Sequence, residues 1–537
     1  MSRPRLASVL AIVLLPACAD DPASGTESLP SSTSSTGDAS TGTGTGTAAP
    51  TTSTSSTSTT GEDEEPALEY ARGIRLTRAT VNQGVQLEIV RDGVEVPGGE
   101  LGARLLAGRK AVMRADWLLH AGFAPREIIG RLTLWTPEGE TRVDDFKVMV
   151  SGPSNDGDLF TTFSWELPAS LVGPGLQYRI EALEPDPAAA TGEVSDPPPL
   201  LPLAGRGTLQ VEDAPMEIKV ELVPLQHVIN GMTCTPTITD ADVEAMQVWM
   251  EQHNPIQRAV LTVHAPWEYT ATIGNEPNGF VPILTKLSEL RAADAPADNV
   301  YYYGLIESCD GYPPGLLGQA AGIPDLPTKG YAYQRLAVGR YQSSGAGARD
   351  TFVHEIGHTQ GLYHVRCSGG EAGADPEYPY PNGRIGRWGY GIHDTGMRSP
   401  TSFRDYMSYC SQSWVSDFGW EKTFDNIREL TSWDAGGAPL EPVARPIVVG
   451  TLMKDGKSHW YTTVGEVPLR GRASDTFVEF AVDGATVREP AAAVEIPDSD
   501  ATMVVAALPP GSLSGLSFKT GGKLRAEVGA SQVVRLR

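Results

Sequence analysis

Apolar and polar residues alternate at period two in three stretches: Phe146-Lys147-Val148-Met149-Val150, Phe163-Ser164-Trp165-Glu166-Leu167 and Tyr178-Arg179-Ile180. That period places successive side chains on opposite faces of a strand. Turn formers such as Pro137-Glu138-Gly139 and Asn155-Asp156-Gly157 separate such runs. Residues 67–212 therefore predict an all-β, sandwich-like region of immunoglobulin size. The Cys-Trp-Cys core marker of that fold is absent, which leaves the topology open. Residues 433–537 return to the same alternation, as in Phe477-Val478-Glu479-Phe480-Ala481-Val482 before Asp483-Gly484, and predict a second accessory β-sandwich.

Between them, residues 213–432 change period. Met216-Glu217-Ile218-Lys219-Val220-Glu221-Leu222 reads as a first strand. Thr239 suits the cap of a helix reaching about His253, with Val243, Met246 and Met250 on one face and Pro255 beyond the end. A strand at 259–264, a helix at 280–291 with Pro282 in its first turn, and a strand at 300–306 follow. A further helix begins near Ala348. Helices alternating with strands predict an α/β arrangement, so the fold class expected is multidomain, with an α/β centre flanked by two β regions.

The N-terminus changes the picture from fold to location. Arg3 and Arg5 precede an apolar run from Leu6 to Leu15, too short to span a bilayer, which reads as an export signal over 1–18. Leu15-Pro16-Ala17-Cys18 resembles a bacterial lipoprotein box that would lipidate Cys18, although its proline departs from the usual pattern. Ala17-Cys18-Ala19 as a plain cleavage site is the competing reading. Residues 19–66, almost wholly Ser, Thr, Gly, Ala and Pro before an acidic end, cannot bury enough apolar surface to fold. Such a spacer reaches on the order of 35–40 Å and favours the tethered reading. The expected location is the cell envelope, lipid-anchored, with soluble secretion as the alternative. The net charge of −24 opposes a nucleic-acid partner.

One stretch carries chemistry: His354-Glu355-Ile356-Gly357-His358-Thr359-Gln360-Gly361-Leu362-Tyr363-His364. On a helix, His354 and His358 leave the same face about 6 Å apart along the axis. Two imidazoles so placed suit Zn²⁺, and Glu355 beside them suits proton transfer from water. Gly361 allows a left-handed exit that returns His364 as a third ligand. Three protein ligands with an open fourth position describe a catalytic zinc site. Chance supplies a bare H-E-x-x-H in roughly one chain in a hundred of this size and histidine content; Gly361 and His364 lower that about a thousandfold.

With its third histidine, the stretch resembles the signature of the metzincin metallopeptidases, and Asp405-Tyr406-Met407-Ser408-Tyr409-Cys410 resembles their Met-turn. The resemblance covers residues 215–430. It implies that Met407 packs beneath the ligands without binding the metal. It also implies that Tyr409 reaches the zinc and then stabilises the oxyanion, whereas a packed tyrosine is the plainer reading. An edge strand near 318–324 or 335–340 that pairs with an extended substrate is implied as well. The loop from Asp375 to Tyr390 is expected to line the lower cleft, and with Trp414-Val415-Ser416-Asp417 it looks like secreted bacterial metalloproteases.

Apart from Cys18 there are four cysteines, an even number that predicts two disulfides in an oxidising compartment. Cys367 follows the third ligand and Cys410 follows the Met-turn, so Cys367–Cys410 is expected, leaving Cys234–Cys309. The functional expectation is a zinc metalloendopeptidase, a monomer acting on protein or peptide substrates, glycoproteins included. Nothing supports a structural Ca²⁺. The alternative is a surface adhesion or glycan-binding lipoprotein with a degenerate protease core, against which intact Glu355 argues. A glutamate-liganded H-E-x-x-H enzyme would leave Gly361 and His364 without purpose.

Overall fold

Alternation at period two dominates what the chain builds. The computed structural model describes residues 68–536 except 189, 275–278, 343–345, 368–370, 372 and 437–443. The export signal and spacer expected over 1–66, Cys18 included, lie outside them. The described residues are mostly β-sheet, with four α-helices of 14 to 16 residues. None of these helices is long and apolar enough to cross a membrane.

The N-terminal part forms two antiparallel sheets. One orders Val94–Glu95, Gln86–Arg91, Ile74–Asn82, Ala111–Leu119 and Phe163–Leu167. The other orders Leu200–Leu201, Gln177–Leu183, Arg126–Trp135 and Thr141–Val150, with Gly207–Thr208 also pairing to Gln177–Leu183. Inward residues such as Trp117, Leu132, Phe163 and Ile180 are buried, as the alternation requires. Their core is continuous with that of the middle region, joining Val81 and Leu87 to Met246, Trp414 and Trp420. Gly84 permits a close approach: at its φ of 150°, a Cβ would stand 2.6 Å from the Trp420 ring.

The middle region holds a seven-stranded mixed sheet. Glu217–Ile229, Val300–Ile306 and Leu336–Arg340 run parallel, Gly318–Ala320 closes one edge antiparallel, and Met232–Cys234 lies at the other end. Arg258–Val263 and Trp267–Tyr269 pair parallel to Glu217–Ile229. Helices α1 (Asp240–His253), α2 (Val281–Asp294), α3 (Ala346–Thr359) and α4 (Asp417–Ser432) cover it. Successive strand residues feed opposite cores. Tyr301, Tyr303 and Leu305 meet Met250, Phe352 and Ile356, while Tyr302 and Ile306 meet Leu284 and Leu287 of α2. Parallel strands buried on both faces read as the near-continuous apolar runs seen here. Thr239 caps α1 through a reciprocal pair with Asp242.

The C-terminal part departs from expectation. Its eight strands form one hydrogen-bonded sheet, nearly closed on itself, rather than two facing sheets. The reason is burial of both faces. Val448, Val504 and Ala506 turn into the curled interior with Trp460 and Phe480, whereas Ile447, Val449, Met503 and Val505 pack on Val281, Tyr331 and Tyr333 of the middle region. Register shifts within Arg472–Val482 bend the sheet far enough to curl.

Candidate metal centre

Helix α3 carries His354, Glu355 and His358, and it ends where the motif predicts. Gly361 takes a φ of 96°, with Gly361 N donating to His358 O and Leu362 N to Gly357 O. This is a left-handed helix stop, and it turns the chain so that His364 faces back toward the helix. The three imidazoles converge, with ring centres 4.6 to 5.4 Å apart. Nδ1 of His354 lies 2.8 Å from Tyr406 O, and Nδ1 of His358 lies 2.8 Å from Leu362 O. Each Nδ1–H donates to its carbonyl, which fixes the tautomer and leaves the Nε2 lone pair facing inward.

The donor set fits a divalent ion. His358 Nε2 and His364 Nε2 stand 3.1 Å apart; two nitrogens sharing a tetrahedral Zn²⁺ would be about 3.3 Å apart. His354 Nε2 is buried and has no hydrogen-bond partner. Burial pushes the His354 imidazole down to about 3 and lowers His358 too, so both rings are neutral, the form that ligates.

Glu355 is 2 % exposed, and burial followed by the charge of a nearby carboxylate holds its carboxyl well above the usual range. It packs against the sheet edge: a Cβ on Gly318 would come 2.6 Å from Glu355 Oε1. The turn over Asp405 to Cys410 packs against α3. Met407 is 1 % exposed, and its Sδ would be 2.5 Å from a Cβ on Gly357. Asp405 holds the turn by accepting from Met407 N and Ser416 N. Val365 N donates to Met407 O at 2.9 Å, and Cys367–Cys410 joins the same two segments covalently. The second disulfide is Cys234–Cys309. The phenol of Tyr409, a half-exposed residue, is 3.1 Å from His364 Nε2.

The structure distinguishes the two segments expected near the sheet edge and follows the loop beyond His364. Gly318–Ala320 is the outer strand of the sheet, whereas Leu336–Arg340 lies inside it, paired on both sides. The loop expected to line the cleft reaches the N-terminal sheet at its far end, where Gln86 N donates to Trp388 O and Tyr390 Oη donates to Glu166. The remaining histidines among the described residues lie outside the cluster. His253, for example, lies tilted between the rings of Trp249 and Trp414.

Sequence reasoning missed Asp498. It sits in a turn of the C-terminal sheet, 134 positions beyond His364, yet its carboxylate completes the cluster with the three histidines, all ligand atoms within 4.8 Å of one another. Pro497-Asp498-Ser499-Asp500 reads as an ordinary turn, and no local pattern marks it.

No curated protein matches the chain. Among solved structures, a Bacteroides fragilis protein described as a beta-galactosidase is 10 % identical, with 87 % of this chain and 74 % of that one covered, at a TM-score of 0.13. A calcium-binding mutant of Bacteroides uniformis beta-glucuronidase 2 gives 10 % identity, 87 % and 61 % coverage, and the same TM-score. Scores so low carry no argument about this fold. The family model described as Peptidase M66 matches residues 330–435, the stretch that holds all three histidines, Glu355 and Met407, and this match supports a metallopeptidase.

Proposed function

We propose that the chain is an exported zinc endopeptidase of metzincin type, tethered through Cys18 and cleaving extracellular or envelope proteins. The observation that carries the reading is the convergence of three imidazoles beside one buried carboxyl, Glu355. His354, His358 and His364 would hold Zn²⁺, which supplies Lewis acidity for activating water and polarising a carbonyl. Glu355 takes the proton of the attacking water and returns it to the leaving amine. The unpaired side of Gly318–Ala320 aligns an extended peptide through main-chain hydrogen bonds. Tyr409 offers a phenol on the rim, where a developing oxyanion would accept from it.

Glu355→Ala tests the reading. The variant is expected to retain zinc while losing casein or peptide hydrolysis by several orders of magnitude, with chelator abolishing activity in the wild type. A variant that cleaves at the wild-type rate removes Glu355 from the reaction.

A further inference from the structure

A catalytic zinc site keeps one position open to solvent, and a site with four protein donors is closed. The cluster here has four. Asp498 Oδ2 is 3.4 Å from His358 Nε2 and 3.9 Å from His354 Nε2, and Asp498 Oδ1 is 3.3 Å from His364 Nε2. Tyr409 Oη donates to Asp498 Oδ1. Asp498 Oδ2 is buried with no hydrogen-bond partner of its own. A buried carboxylate oxygen without a hydrogen-bond partner, aimed among three converging imidazoles, is the arrangement that a cation held between them would compensate.

The turn that presents Asp498 is built and anchored. Ile496 N donates to Ala501 O, Ser499 Oγ donates to Ile496 O, and Ala501 N donates to Ser499 Oγ. Ile496 is buried with Tyr331, Tyr333 and Met503 at the seam with the middle region. Asp498 takes a φ of 54° at the tip of the turn, and its carboxylate reaches the histidines of the middle region. Pro497 O accepts from Gln319 Nε2, which belongs to the edge strand Gly318–Ala320. The turn therefore meets both the ligand cluster and the strand that a peptide substrate would use.

We infer that Asp498 is the fourth protein ligand of the resting centre and that the 496–501 turn occupies the peptide cleft, so that a substrate must displace it before cleavage. The inference rests on the zinc-peptidase reading and adds its regulation. The closed and open arrangements differ in one ligand exchange, while the three histidines keep their positions on α3 and the following loop. Apparent activity is then scaled by the open fraction.

The test uses the full chain loaded with Co²⁺, in wild type, Asp498→Asn and Asp498→Gly. Asparagine and glycine both tolerate a positive φ, so the turn itself survives in each, and matching melting curves in chelator verify that. Loss of the carboxylate is expected to change the visible absorption of bound Co²⁺ and to weaken its retention against a competing chelator by tenfold or more. Peptide kcat/KM of the zinc-loaded variants is expected to rise about 5- to 150-fold, the range of an ordinary coupling between sites. Spectra and retention equal to wild type in both variants overturn the ligand assignment. A changed spectrum with unchanged or lower kcat/KM overturns the occlusion of the cleft. If no form cleaves peptide in a chelator-sensitive way, the peptidase reading falls, and the occlusion of a peptide cleft falls with it. The Co²⁺ spectra still decide whether Asp498 binds the metal.

Discussion

Gly357→Ala probes the seat of the metal site without touching a ligand. In an exposed helix interior this exchange stabilises by about 1 kcal/mol. Here the new Cβ would lie 2.5 Å from Met407 Sδ and 3.1 Å from the Tyr406 ring. Overpacking of that kind costs about 1–3 kcal/mol, so a net loss of roughly 0–2 kcal/mol is expected for the metal-free protein. The larger effect falls on the ion. Tyr406 O holds His354 through Nδ1, so a turn pushed away from α3 also tilts that imidazole. Disturbing such an outer partner typically lowers metal affinity 10- to 100-fold. Urea unfolding in chelator would give the first quantity and Zn²⁺ competition the second. The pair Gly357→Ala and Met407→Ala should couple, because removing the thioether makes room for the methyl; an interaction energy of about 0.5–3 kcal/mol is expected. Strict additivity, or a Gly357→Ala protein with wild-type zinc affinity, would refute the contact as the reason for glycine at this position.

Tyr409→Phe is expected to lower kcat more than KM, and an unchanged kcat would return Tyr409 to packing alone. The two disulfides close separations of 75 and 43 residues, each stabilising by roughly 4 kcal/mol on chain-entropy grounds. A melting temperature that does not move under reductant would contradict both. Burial lowers the His253 imidazole to about 4 from an ordinary 6.5. The folded state thus binds its proton later than the unfolded one, so stability present above pH 6.5 drains away as pH falls toward 4, by up to about 3 kcal/mol. Denaturant titrations at pH 7 and 4.5 should show a larger acid loss for wild type than for His253→Gln; equal losses would refute the burial argument.

Where spacing alone encodes geometry, the sequence was readable. Residues four apart on a helix must share a face, and Gly361 must break it, so the convergence of three histidines beside Glu355 follows from eleven letters. Period two marked the strands at 163–167 and 217–222 for the same reason. Whatever depends on distant segments meeting was hidden. The curl of the last sheet turns on which of two apolar faces finds a partner, and Ile447 and Val448 look alike in sequence although they enter different cores. Asp498 is the sharper case, since its meaning lies in a neighbour 134 residues back.

The seam between the middle region and the final sheet also limits how this molecule could be shortened. Tyr331, Tyr333 and Val281 lose their cover if the chain is cut before Arg445, leaving an oily face bare to water. A trimmed fragment would be expected to clump rather than emerge as a smaller working version. Whatever frees the histidines in life must swing a hairpin tip aside and leave its sheet in place.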